Sequence, residues 1–220
     1  MCNDYRLEVE FASIMEDFDD LEINIETPEG ALDDNPRADI RITETAPIVR
    51  AVERPPGNYR AVGELVNRRW SRPGKKGPIY NLRSEGFGGK PPNLSINRCL
   101  VLCDGFYEFT DPPAPRPKDK WLDKWLFEMK DHRWFCMTGI WQHDAKVGEA
   151  FSLLTMDTGD DIKPYHHRQI IPLARDQWAD WLNPDVPAEG NLIYLPAGML
   201  QVTQVYPPLT PGPDQATFAL

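Results

Sequence analysis

The 220-residue sequence contains no apolar run near the roughly 18 residues that span a bilayer. Its opening, MCNDYRLEVEFASIMEDFDD, is acidic and lacks the apolar stretch of a secretion signal. A cytoplasmic protein is therefore expected, with no membrane partner. Cysteine is scarce. The four present (Cys2, Cys99, Cys103 and Cys136) are too few for a disulfide scaffold. Cys99 and Cys103 lack the CxxC spacing, and no second thiol pair follows them, so buried strand cysteines are expected and no metal site is read. GxxxxGK[ST], GxGxxG before a helix, HExxH and GxSxG are all missing, which removes the common nucleotide, zinc and serine-hydrolase readings. No cofactor is expected. Positive charge is also short: 24 Lys and Arg face 34 Asp and Glu, for a net charge of −10. That balance disfavours broad, nonspecific adhesion to nucleic acid.

The charge is unevenly spread. Residues 64–100 hold eight bases (Arg68, Arg69, Arg72, Lys75, Lys76, Arg83, Lys90, Arg98) against Glu64 and Glu85. Such a patch could hold a short piece of phosphate backbone, or could be a solvated loop.

With 41% hydrophobic residues, the chain can bury a sizeable core. Phe11, Ile14, Met15 and Phe18 recur at helical spacing and predict a helix. Residues 26–39 and the Gly-, Pro- and base-rich 67–78 read as loops, and the proline-rich 111–118 as a surface loop. Strands are expected at 46–52, at 98–109 with an Asp-Gly interruption, at 151–156, at 191–195 and at 200–205. The segments KWLFEMK and RWFCMTGIW, joined by Asp131 and His132, read as a hairpin. Trp178, Trp181 and Leu182 mark a short helix ending at Asn183-Pro184. The expected fold is α+β: a single domain over residues 1–220, built on an antiparallel, barrel-like sheet with a few flanking helices.

Cys2 stands directly after the initiator Met1. If Met1 is removed, Cys2 carries an α-amine beside its thiol, a pair no internal cysteine has. Glu108 sits among aromatic residues in an apolar strand, either buried with a raised pKa or facing solvent. His166 and His167 precede an apolar strand, where adjacent side chains would point to opposite faces. Asn81, Arg83 and Glu85 alternate, which places them on one strand face.

Taken together and in this order, Met1-Cys2, Arg69-Trp70, NLRSE (81–85), DGFYEF (104–109), TGIW (138–141) and HHR (166–168) resemble the SRAP family, the SOS response-associated peptidases. The resemblance covers residue 1 to about 183. It implies covalent capture of abasic sites in single-stranded DNA by the exposed N-terminal Cys2, and autoproteolytic removal of Met1. It also implies that Cys2, Asn81, Glu108 and His166 form the reactive site, with Arg69 and Arg83 on phosphates and Trp70 stacked on a base. The expected partner is abasic single-stranded DNA, met by a monomer. An N-terminal-cysteine peptidase or amidohydrolase that ignores DNA, or a non-catalytic binding homologue, are the alternatives. Several residues depart from the family pattern. Asn3-Asp4 replaces Gly-Arg, and Asp4 beside a phosphate would repel it. Gln169-Ile170 replaces Met-Pro, and Ser71-Arg72 replaces Gly-Leu.

Overall fold

The computed structural model describes residues 2–30, 35–52, 62–86, 92–114 and 122–207. Strand β1 (Asp4–Leu7) leads into helix α1 (Phe11–Asp20), which buries Ile14 and Phe18, the face that the periodicity gives. Strands β2 (Asn24–Glu26), β3 (Arg37–Arg41), β4 (Thr45–Ala51), β5 (Val62–Trp70) and β6 (Asn81–Arg83) follow. Next come β7 (Arg98–Cys103), β8 (Gly105–Thr110), β9 (Asp123–Met129), β10 (Phe135–Asp144) and β11 (Gly148–Asp157). The chain then forms β12 (Arg168–Ile170), β13 (Pro172–Leu173), a 3₁₀ turn, the short helix α2 (Trp178–Leu182) and β14 (Leu200–Tyr206). Among the described residues no helix is long and apolar enough to cross a membrane.

Two sheets share one apolar core. The smaller runs β14-β9-β8-β1-β3. In the larger, β12-β11-β10-β7-β4-β5-β2, a further pairing of β11 with β5 closes five strands into a ring. That closing contact is parallel and short, Ala150 to Arg69 and Phe151 to Trp70. The α+β expectation holds, with a ring of strands as its centre and antiparallel pairing predominant.

Motif glycines fit where strands press closely. A Cβ on Gly105 would meet Leu126 at 2.7 Å, and one on Gly139 would meet Cys99 Sγ and Val101 at 2.8 Å. Such contacts are too close for a side chain. Asp104, which breaks the strand run, accepts from Arg6 Nε at 2.5 Å and from the Glu8 amide at 2.6 Å, fastening β1 to the start of β8. Cys99, Cys103 and Cys136 are buried and unpaired as thiols.

Several sequence expectations are corrected. KWLFEMK and RWFCMTGIW are not a hairpin. β9 pairs with β8 and β14, whereas β10 pairs with β7, β11 and β13. Asp131, at φ 61°, turns the chain from one sheet into the other instead of doubling it back. Residues 67–70 are not loop but the end of β5, because Thr45 and Ala46 of β4 pair with Arg69 and Arg68. Residues 191–195 form no strand; the chain leaves a 3₁₀ turn at Asn191 and stays irregular. Residues 111–114 are irregular as expected, and 115–118 lie outside the described residues; of the predicted 26–39 loop, Glu26 ends β2, Arg37 to Asp39 open β3, and 31–34 lie outside the described residues.

Candidate active site

The strand register brings the N-terminus to Glu108. β1 pairs with β8 through Tyr5 opposite Phe106 and Arg6 opposite Gly105. Carried past those residues, the same antiparallel register sets Cys2 and Asn3 alongside Glu108. The Glu108 carboxyl is buried, 1% exposed, and lies beside the Cys2 backbone amide. Burial raises its pKa from the ordinary 4.5 to about 6, against the lowering effects of the N-terminal charge and, last, the Cys2 amide. The opposite side of Cys2 is held from the larger sheet. β6 lies parallel to β11, with Asn81 opposite Leu153, and Asn81 Nδ2 donates to the Cys2 carbonyl at 2.8 Å. Asn81 Oδ1 is buried and has no hydrogen-bond partner among the described residues.

The Cys2 side chain is fully buried, with Sγ 3.4 Å from the Asp4 carbonyl oxygen. Burial and, next, the Glu108 carboxylate push the thiol pKa far up, so it is a neutral thiol in this state. A cavity of about 610 Å³ opens beside the site, bordered by Asn3, Asp4, Phe109, Lys124 and Tyr206.

His166 is not in a strand. Its ring stacks on that of His167, centroids 4.4 Å apart, so the two do not diverge to opposite faces as the sequence suggested. Its Nδ1 lies 2.9 Å from the Arg168 amide nitrogen and 3.0 Å from the Arg168 carbonyl oxygen. Burial lowers the His166 pKa and favours the neutral ring. Next to it, Tyr165 packs on Trp125, the cross-strand neighbour of Glu108, with ring centroids 4.9 Å apart. Tyr165 also packs edge-on to Phe127, centroids 5.1 Å apart, so His166 follows a residue packed on β9, the strand paired with β8.

The anticipated DNA contacts are placed unequally. Arg69 Nη1 donates to the Thr43 carbonyl at 2.6 Å at the end of β5. Arg83 is exposed on β6, two residues beyond Asn81 and on its face. Trp70 offers no face for stacking. It is 0% exposed, its ring lies parallel to Phe151 and edge-on to Tyr5, and its Nε1 donates to the Tyr80 carbonyl at 3.0 Å. The bulk that suggested a base platform instead plugs the closing contact of the ring. Asp4 is likewise not a free charge beside a groove. It is buried and paired with Lys124 Nζ at 2.7 Å, which also binds Asp39 at 2.5 Å.

Sequence reasoning gave Arg168 no role of its own. Its buried guanidinium binds Glu85, Asp157 and the Thr155 carbonyl. HHR and NLRSE are therefore two halves of one ionic contact, which positions β6 and hence Asn81. The signal was available as an Arg and a Glu in separate polar motifs, but their pairing required the fold.

Fold and site together define a strand-ring protein built around its second residue, whose backbone is held by an amide from one sheet and lies beside a buried carboxyl of the other. The chain belongs to the SRAP (SOS response associated peptidase) family, whose model matches residues 1–207. It is 26% identical over 123 residues to the abasic site processing protein YoaM of Bacillus subtilis (strain 168); the match covers 52% of each chain, so about half of that relative's length is spanned. Solved structures share the fold. One from Bordetella bronchiseptica has a TM-score of 0.63 at 20% identity, covering 92% of this chain and 99% of that one. One from Bacteroides thetaiotaomicron has a TM-score of 0.66 at 18% identity, covering 92% and 91%. A phage-related protein from Bordetella bronchiseptica has a TM-score of 0.67 at 17% identity, covering 93% and 94%.

Proposed function

We propose that this protein, once Met1 is removed, captures the aldehyde of abasic sites in single-stranded DNA through Cys2. The observation that carries this reading is the setting of the Cys2 backbone: Asn81 bonds its carbonyl, and the buried Glu108 carboxyl lies beside its nitrogen. Loss of Met1 turns that nitrogen into an α-amine, with pKa about 7.7–8.0 and therefore partly neutral at physiological pH. The neutral amine adds to the aldehyde and water leaves, giving an imine. The thiol of the same residue then adds across the C=N bond, its proton passing to nitrogen, and closes a five-membered thiazolidine. The second step is intramolecular and gains from proximity. No electron is gained or lost overall.

Glu108, with its pKa raised to about 6, takes the ammonium proton and returns it to the departing hydroxyl. A neutral His166 assists opening of the sugar. Removal of Met1 by the protein itself, with Cys2 as nucleophile, uses the same groups. The name of the Bacillus relative and the family's description support a role at abasic DNA.

The test is incubation of abasic single-stranded DNA with the wild-type protein and with Cys2→Ala, followed by a denaturing gel. A stable shifted band is expected for the wild type alone. The same adduct from Cys2→Ala would refute the mechanism. No adduct from a wild-type protein whose Cys2 still reacts with small aldehydes would favour the peptidase or amidohydrolase reading.

A further inference from the structure

Most described arginines are spoken for. Arg6, Arg37, Arg50, Arg68, Arg168 and Arg175 each bind a carboxylate, and Arg98 binds two backbone carbonyls. Arg72 and Arg83 have no carboxylate partner among the described residues, and both line one cavity of about 370 Å³. Asn93, Asn97, Trp141 and Gln142 also line it, and no described Asp or Glu does. In a chain of net charge −10, an acid-free cavity with two unneutralised guanidinium groups is selective for anions.

Its walls are held by backbone pairing. Arg72 exchanges hydrogen bonds with Ile79 at 3.2 and 2.8 Å, and the Trp141 amide donates to the Asn97 carbonyl at 2.9 Å. Arg50 covers one face of the Trp141 indole, its Cζ 4.8 Å from the ring centroid. Asn97 is kept at φ 60°, an uncommon conformation for a side chain other than glycine. Three amide side chains and an indole beside two cations are the groups that hydrogen-bond and stack a nucleobase while its phosphate is paired. Arg83 is two strand residues from Asn81, about 7 Å along β6, so the Arg83 edge of the cavity begins about one nucleotide's length from the residue that holds Cys2.

We infer that this cavity binds the nucleotide next to the lesion, its phosphate on Arg72 and Arg83 and its base against Trp141. The inference rests on the abasic-site reading above and adds a subsite that Trp70, being enclosed, does not supply.

The experiment compares the wild type with Arg72→Gln and Arg72→Lys, using intact single strands, abasic single strands and strands with two adjacent abasic sugars, across a salt series. Arg72→Gln should reduce the salt slope of log K by about 0.7, the loss of one phosphate contact on a single strand. Arg72→Lys should restore the slope. Capture of a small aldehyde by Cys2 should be unchanged in both variants, which also shows that they are folded. Removal of the neighbouring base should weaken wild-type binding. An Arg72→Gln protein with wild-type slope and affinity, on strands that the wild type captures, would overturn the inference and leave the capture reading standing. A free mononucleotide that binds in an Arg72-dependent way while the strand slope stays unchanged would assign the cavity to free nucleotides, and equally overturn it. Failure of the wild type to capture abasic strands at all would remove the reading on which the inference rests.

Discussion

Replacing Glu108 by Gln should shift relative stability toward the variant as pH rises, and slow capture at the same time. In the folded state the Glu108 pKa lies near 6, above its ordinary 4.5, because burial disfavours the carboxylate. Below about pH 4.5 both folded and unfolded chains carry the proton, and Glu108 costs nothing. As pH rises through the window from 4.5 to about 6, the folded state holds the proton more tightly than the unfolded state, so stability falls. Above the window the full difference is lost, about 2 kcal/mol at 1.36 kcal/mol per pH unit. Gln carries no charge and avoids this loss. Its Oε1 can still accept from the Cys2 nitrogen, and any cost of its buried NH₂ is the same at every pH. The gap between Glu108→Gln and wild type should therefore shift in favour of the variant by about 2 kcal/mol between pH 4 and pH 8. For a protein of this size that is about 4–8 °C in Tm. Over the same range, capture of abasic DNA should slow by about 10²–10⁴, the usual contribution of a general acid–base group. Thermal melts at both pH values and a gel time course measure the two effects. A stability gap that is the same at pH 4 and pH 8, or capture at the wild-type rate, would refute the assignment.

Three further outcomes are expected. Asn81→Ala removes the 2.8 Å bond to the Cys2 carbonyl, so it should cost about 1 kcal/mol of stability but slow capture at least tenfold; a denaturant titration beside a capture time course separates the two. Trp70→Ala should cost about 3–5 kcal/mol, with the folded fraction binding intact strands normally; a selective loss of DNA affinity at wild-type stability would contradict its enclosure in the core. Asp4→Arg should lower Tm by breaking the Lys124 pair, near the lower end of about 3–5 kcal/mol because Lys124 keeps Asp39, and should not simply add a phosphate contact; an unchanged Tm with a steeper salt slope would show that position 4 faces the strand.

The sequence made local features legible and hid those that depend on remote partners. Helix α1 follows from the spacing of Phe11, Ile14, Met15 and Phe18, and the break between β7 and β8 from Asp104-Gly105. Cys2 is identified by its position alone. The wrong hairpin arose because β9 and β10 adjoin in sequence with a turn between them, while their hydrogen bonds go to strands far along the chain. The end of β5 looked like loop because Arg68 and Arg69 are strand residues only when β4 lies beside them. Glu108 could be suspected as a buried acid, but its register against the N-terminus belongs to the β1–β8 pairing. Trp70 misled because bulk and adjacency to arginine are equally compatible with a platform and with a plug.

The ring closure also governs the order of assembly. Asn81 reaches Cys2 from β6, and β6 pairs with β11 immediately beyond the two residue pairs by which β11 and β5 close the ring. Those contacts join distant parts of the chain, the kind of pairing that forms slowly because a long loop must first be closed. The Asn81 clamp on Cys2 thus exists only after this last seam is sewn. Reactivity that depends on Asn81 should accordingly lag the recovery of tryptophan fluorescence during refolding. A chain that has not finished folding would be a poor trap for aldehydes, which spares it from capturing the wrong ones.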